Sequence, residues 1–155
     1  MQTYIFKISL LYSSPKIGPH SGPEISREIE ILENSSLYKL AETIIDAYNF
    51  DFDHCFGFFS EIDDRRCFDS EKQYELFTDL IKKGEDIGIE PTGAGSVEKT
   101  KIKEVWQNIG DKMMFLFDYG DNWQFVVELV GFSKKDIKKK YPRIMKKKGR
   151  APKQY

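Results

Sequence analysis

The sequence predicts a single α+β domain, a mainly antiparallel sheet of five to six strands with two or three helices packed on it. Three observations carry this expectation. Near the start, one segment is rich in β-branched and aromatic residues and the next alternates apolar and polar residues with the period of a strand. Two later segments repeat apolar residues at helical spacing. Met113 to Phe132 reads as an aromatic β-hairpin. The 155 residues suit one domain with one core, and 12 Phe and 8 Tyr imply a core built largely from rings.

Thr3 to Tyr12 is rich in β-branched and aromatic residues and forms the first strand. Ser13-Ser14-Pro15, Gly18-Pro19 and Gly22-Pro23 then supply a loop. Glu24 to Leu32 sets Ile25, Arg27, Ile29 and Ile31 against Ser26, Glu28 and Glu30, a strand with one wet face that pairs antiparallel with the first. Asn34-Ser35-Ser36 offers N-caps for a helix over 36–48, whose stripe is Leu37, Leu40, Ala41, Ile44, Ile45 and Tyr48. Asp53 to Ile62 reads as a third strand, with Asp63-Asp64 as its turn and Arg65 to Phe68 as a short return.

Ser70 with Gln73 matches a capping box, Tyr74, Phe77, Leu80 and Ile81 continue a helical stripe, and Gly84 suits the C′ position. Glu85 to Glu98, with Pro91, Gly93 and Gly95, is expected to be a mobile surface loop. Ile102, Val105, Trp106 and Ile109 suggest a short helix closed by Gly110. For the hairpin, a three-residue loop of Gly120-Asp121-Asn122 sets Tyr119 opposite Trp123, Phe117 opposite Phe125, Phe115 opposite Val127 and Met113 opposite Leu129. That places every large apolar pair on one face. A two-residue loop would instead set Asp118 against Trp123.

The formal net charge of −1 conceals an asymmetry. Eleven of the 24 basic residues, and one acid, Asp136, lie in 133–155, leaving 13 basic and 24 acidic residues in 1–132. The body is therefore near −11 and the last segment near +10, which divides the chain into a 1–132 core domain and a 133–155 basic tail. Cys55 and Cys67 are too few for a disulfide scaffold and do not form a CxxC pair, so both read as structural thiols. With no apolar run of about 20 residues and no signal-peptide pattern, a cytoplasmic location and no membrane partner are expected.

Ordered along the chain, Tyr48-Asn49-Phe50-Asp51 with His54 and Phe58, Gly110-Asp111, Phe117-Asp118-Tyr119-Gly120-Asp121 with Trp123, and Tyr141-Pro142-Arg143 form a recognisable series. It resembles the plasmid-borne Ri-plasmid open-reading-frame-three (pRiA-type) family, uncharacterised proteins often linked to plasmids and mobile elements. The likeness runs from about Tyr4 to Gly149, with 60–98 matching poorly, and the aromatic-Asp-aromatic-Gly-Asp-x-Trp element is its specific part. The resemblance implies a single α+β domain and brings no activity and no catalytic residues. Family members often carry a cysteine after Pro-Arg and a Cys-Pro-Pro-acid segment, where this chain has Ile144 and Arg150-Ala151-Pro152-Lys153.

Asp118 and Asp121 flank the hairpin turn and, with His54 from another strand, make the one catalytic constellation the sequence offers, a carboxylate-imidazole cluster able to bind a metal or transfer protons. Asp at such turns commonly accepts backbone N–H groups, and that structural role is the stronger reading. His20 is the only other histidine, so no metal site is expected, and nothing calls for a cofactor. Gly93-Ala94-Gly95-Ser96 lacks the Lys-Ser/Thr ending of a phosphate-binding loop. Lys134, Lys135, Lys138, Lys139, Lys140, Arg143, Lys146, Lys147, Lys148, Arg150 and Lys153 carry enough charge to neutralise several phosphates, with only Tyr141 and Tyr155 among them to stack on bases. The sequence therefore leans toward a non-catalytic binding or regulatory module that contacts nucleic acid through 133–155. The alternatives are an enzyme using His54, Asp118 and Asp121, and a protein-protein interaction module with an exposed aromatic face.

Overall fold

The structure, a computed structural model, describes residues 1–63, 65–84, 88 and 90–155. β1 (Gln2–Tyr12) and β2 (Ser26–Leu32) pair antiparallel, with Phe6 opposite Ile29 and Ile8 opposite Arg27. Helix α1 (Leu37–Ala47) follows, capped by Ser36, whose hydroxyl accepts from the Lys39 N–H at 3.0 Å. β3 (Phe56–Phe59), a 3₁₀ turn (Cys67–Asp69), β4 (Gln73–Glu75) and α2 (Leu76–Lys82) come next. Then come α3 (Ile102–Val105), β5 (Lys112–Phe117), β6 (Trp123–Lys134) and β7 (Arg143–Lys148). The strands form one antiparallel sheet in the order β4-β3-β5-β6-β1-β2-β7.

The sheet thus has seven strands rather than five or six, and the two edge strands account for the difference. β4 stands where a capping box is expected. Its two side chains are engaged otherwise: Ser70 Oγ accepts from the Glu61 N–H at 2.8 Å, and Gln73 Nε2 donates to the Phe68 and Ser70 carbonyls. The helix therefore starts at Leu76, with Gly84 at φ +79° after its end as expected. The expected return strand over Arg65 to Phe68 is not formed, because β4 is the segment that pairs with β3. β7 lies within the segment read as a basic tail, and the division at 132/133 falls inside β6. β7 is held to β2 by Ile144 opposite Ile29 and by the Arg143–Glu30, Lys146–Glu28 and Lys148–Glu24 ion pairs.

The main core lies on the α1 face, where Leu40, Ile44 and Ile45 of the helix cover Phe6, Ile8, Ile29, Phe115, Phe125 and Val127 of the sheet. A smaller cluster of Phe59, Cys67, Met114 and Leu116 fills the other face. β5 is consequently apolar on both faces, which is why Met113 through Phe117 are all buried.

The hairpin forms, but with a different register. Phe117 faces Trp123, Phe115 faces Phe125 and Met113 faces Val127, leaving a five-residue loop, Asp118 to Asn122. The shift from the expected pairing is two residues. Side chains alternate with a period of two, so every core residue keeps its face. The cause is Asp118, which leaves the strand at φ +66°, while Asn122 at φ +62° returns its N–H to the Asp118 carbonyl at 2.5 Å. Both are residue types that tolerate the left-handed region. Tyr119 consequently leaves the aromatic ladder. It packs on Phe68 and Phe77 and donates its hydroxyl to the Glu75 carboxylate.

Glu75 is 2% exposed and, among the described residues, its carboxylate otherwise accepts from Thr92 Oγ1 alone, at 2.8 Å, so Tyr119→Phe leaves a buried carboxylate short of a donor. That substitution is expected to cost about 1.5–3 kcal/mol, measured as a lower urea midpoint; a change below about 0.5 kcal/mol would contradict this role.

Residues 85–87 and 89 of the expected mobile loop lie outside the described residues. The later part is anchored: Ala94, Ser96 and Val97 are buried, and Asp79 accepts from Ser96 Oγ and from the Val97 N–H at 2.9 Å. Gly95 bridges to Tyr74, so close that an added Cβ would meet the ring at 2.8 Å. The expected helix up to Ile109 ends at Val105, since Trp106 is extended and sends its indole N–H to the Val127 carbonyl at 3.1 Å.

Candidate functional site

The Asn49 residue, at φ +58°, turns the chain out of α1 toward the hairpin. Phe50 packs edge-on against Trp123 at 4.8 Å and Phe52 stacks on Phe117 at 6.2 Å. These anchors deliver Asp53 and His54 to the hairpin turn, where His54 Nε2 lies 3.3 Å from Asp118 Oδ2 and 3.5 Å from Asp53 Oδ1. His54 and Asp118, singled out from the sequence, are therefore brought together. Asp121 is not part of this cluster and instead lines a neighbouring cleft.

Asp118 is 8% exposed, and its other oxygen accepts from the Gly120 and Asp121 N–H groups at 3.0 and 3.2 Å. The turn role expected of it is thus filled by one carboxylate oxygen, and the other faces the imidazole. An imidazole at this distance from a carboxylate is able to exchange a proton with it.

Sequence reasoning missed the rest of the cluster. Tyr155 places its hydroxyl 3.0 Å from His54 Nε2 and donates it to Asp53 Oδ2 at 2.5 Å. The Asp53 carboxylate, by accepting that proton, pushes the phenol up to about 12, so Tyr155 stays a donor through the physiological range. Gln154 pairs with the Asp51 backbone in both directions, accepting from its N–H at 2.7 Å and donating to its carbonyl at 3.0 Å. These partners lie about a hundred positions apart, and isolated polar residues carry no periodic signal that would have joined them.

Between the 151–155 segment, the Ser14 to Ile17 loop and the hairpin turn lies a cleft of about 590 Å³. Trp123 forms part of its wall and is 1% exposed, and its indole N–H meets no hydrogen-bond partner among the described residues.

Most of the basic residues of 133–155 lie on β7, the connection leading to it and the residues just after it, while Lys153 lines the cleft beside Trp123. Arg143 turns inward to Glu30, which is 3% exposed on its side chain, at 2.8 Å, and Lys146 and Lys148 face Glu28 and Glu24. The two lysines on Glu24, Lys7 and Lys148, hold its carboxyl below the usual range. Lys134, Lys135, Lys138, Lys139, Lys140, Lys147, Arg150 and Lys153 are exposed and make no ion pair among the described residues. The connection from β6 to β7 is fixed by Asp136, whose Oδ1 accepts from the Lys138 N–H at 2.9 Å and whose own N–H donates to Tyr141 Oη.

Cys55 and Cys67 are in no disulfide, and Cys67 packs in the smaller core cluster. His20 is engaged with the Pro23 carbonyl at 2.8 Å. Among the described residues, no group of three His, Cys, Asp or Glu side chains is arranged to hold a metal ion, and no helix is long and apolar enough to cross a membrane.

A family model described as plasmid pRiA4b ORF-3-like protein matches residues 2–154. Among solved structures, the chain is similar to a protein of unknown function, MM3350, from Methanosarcina mazei Go1. That likeness has a TM-score of 0.69 at 19% identity and covers 94% of this chain and 69% of the other. No curated protein matches.

Proposed function

The chain belongs to the plasmid pRiA4b ORF-3-like family, and from that premise we propose that it is a non-catalytic binding module that contacts nucleic acid through its basic sheet edge. One observation carries this reading: seven exposed cations, Lys134, Lys135, Lys138, Lys139, Lys140, Lys147 and Arg150, lie on the end of β6, on the connection to edge strand β7, and on and just after β7, without acidic partners among the described residues, on a body whose remaining charge is negative. A polyanion that replaces their counterions gains the entropy of counterion release. Lys138, Lys139 and Lys140 project from the fixed connection, and Lys147 and Arg150 continue the line along β7 and beyond it. Arg143 is excluded from contact by Glu30, and Lys146 and Lys148 share their charge with β2. Tyr141 is occupied with Asp136, so the interface reads phosphate positions rather than base identity.

The test is binding to a mixed-sequence DNA or RNA duplex, comparing the wild type with K138Q/K139Q/K140Q. Deleting 133–155 would remove β7 and leave β2 paired on one side only, so neutralising substitutions are the cleaner comparison. The triple variant is expected to bind at least about tenfold more weakly at low salt, and equal affinity would overturn the reading.

The His54–Asp118 contact favours a second reading, proton-transfer chemistry at the hairpin turn. The two separate cleanly, because His54→Gln leaves duplex binding unchanged under the first reading.

A further inference from the structure

The chain leaves β6 at Lys134 and runs through Lys135-Asp136-Ile137-Lys138-Lys139-Lys140 toward β7. Asp136 to Lys139 is a β-turn, closed by the Lys139 N–H on the Asp136 carbonyl at 3.0 Å. The Asp136 side chain braces the turn, its Oδ1 accepting from the Lys138 N–H at 2.9 Å. On its flanks, the Asp136 N–H donates to Tyr141 Oη at 3.1 Å and the Lys135 N–H donates to the Met1 carbonyl at 3.0 Å. The turn is therefore tied both to itself and to the start of β1.

Ile137 occupies the second position of this turn and is 90% exposed, the most exposed large apolar side chain among the described residues. It belongs to neither core cluster, and none of the hydrogen bonds that make the turn needs an apolar side chain there. A single exposed apolar residue is ordinary by itself. This one is set apart by its setting, a β-branched and hence stiff side chain on a braced turn, with Lys134 and Lys135 before it and Lys138, Lys139 and Lys140 after it. Against these five lysines stands Asp136 alone, which leaves the stretch with four positive charges.

A rigid apolar tip between cations fits a polyanion with an apolar interior. Duplex DNA is one: its minor groove, about 6 Å wide, sets a row of phosphates on each side of an entering side chain and stacked bases at the floor. Proteins that bend DNA use a single Ile, Leu, Met or Phe in this way, inserting it between two base pairs. The minor groove of an RNA duplex is wide and shallow, and a lipid surface is held by a broader apolar face than one side chain offers.

We infer that Ile137 is a wedge that enters a base step of duplex DNA from the minor groove, with the flanking lysines on the phosphates, so that binding unstacks and bends the duplex. The inference rests on the nucleic-acid reading of the basic edge and deepens it. The preferred site is a flexible pyrimidine–purine step such as TA, which opens most easily, and that preference needs no hydrogen bond to a base.

The test uses the full chain and a duplex of about 12 base pairs whose one flexible step is a central TA, with 2-aminopurine, a base that brightens when unstacked, in place of its adenine. At saturation the wild type is expected to raise the 2-aminopurine signal about twofold or more, I137M to retain that rise and I137S to abolish it while still binding in a salt-dependent way. Ile137 makes no core contact, so neither variant disturbs the fold. If the wild type does not bind the duplex, the nucleic-acid reading and the wedge fail together. The wedge alone is overturned if the duplex binds without a rise in signal or if I137S gives the same rise as the wild type. It is overturned equally if I137S loses binding to phosphatidylglycerol vesicles and leaves the duplex signal unchanged.

Discussion

Replacing Arg27 by methionine lowers the stability of the protein by about 3 kcal/mol or more, seen as a fall in the urea midpoint with little change in slope. Arg27 is 3% exposed and, among the described residues, its hydrogen bonds go to carbonyls rather than to a carboxylate. Its Nε donates to the Ala47 carbonyl at 3.0 Å, and one terminal nitrogen donates to the carbonyls of Ser26, Lys148 and Gly149 at 2.8 to 3.1 Å. The guanidinium lies over the Tyr48 ring, 4.8 Å from its centroid. The charge is thus compensated by carbonyl dipoles, including the last one of α1, and by a ring face.

Methionine retains much of the apolar stem but leaves those carbonyls without their donor. Lysine does not rescue, because a single ammonium cannot reproduce the planar fork that spans α1 and the end of β7. A loss within about 0.5 kcal/mol would show that Arg27 does not clip β7 to the body.

Phe115→Ala costs about 3–5 kcal/mol, as expected for a large ring removed from a close-packed core. Phe115 is fully buried and meets four rings, Phe56, Phe58, Phe117 and Phe125, at centroid distances from 4.9 to 6.3 Å. Phe132, near the far end of β6 and 37% exposed, meets one aromatic ring among the described residues, that of Tyr4, and its alanine variant should cost about 1 kcal/mol or less. Chemical denaturation of both variants measures the contrast. Equal losses would contradict the placement of the hairpin at the centre of the sheet. The same burial bears on association through an aromatic face, because the hairpin rings such a face would need are in the core.

The parts of the fold visible in the sequence are those where period and burial agree. β1, β2 and α1 show one apolar face each, and the hairpin survived an error of two residues because that shift keeps every side chain on its face. β4 escaped notice since three residues carry no period, and Ser70 and Gln73 mimic a cap while bonding elsewhere. β7 was hidden by its own lysines, which in a strand are a common way to protect an edge. At the candidate site, His54 and Asp118 stood out as polar residues inside an aromatic motif, and the structure joins them. Asp121 followed the same logic and does not join them, because the left-handed Asp118 re-aims the loop. Gln154, Tyr155 and the unpartnered Trp123 N–H are consequences of tertiary contact and leave no trace in local pattern.

The claim that the basic sheet edge contacts nucleic acid is tested most directly by the salt dependence of duplex binding. The logarithm of the association constant should fall linearly with the logarithm of salt concentration, and K138Q/K139Q/K140Q should make that slope shallower by about 2 to 3. A slope shared by the wild type and the triple variant, or binding indifferent to salt, would contradict the account.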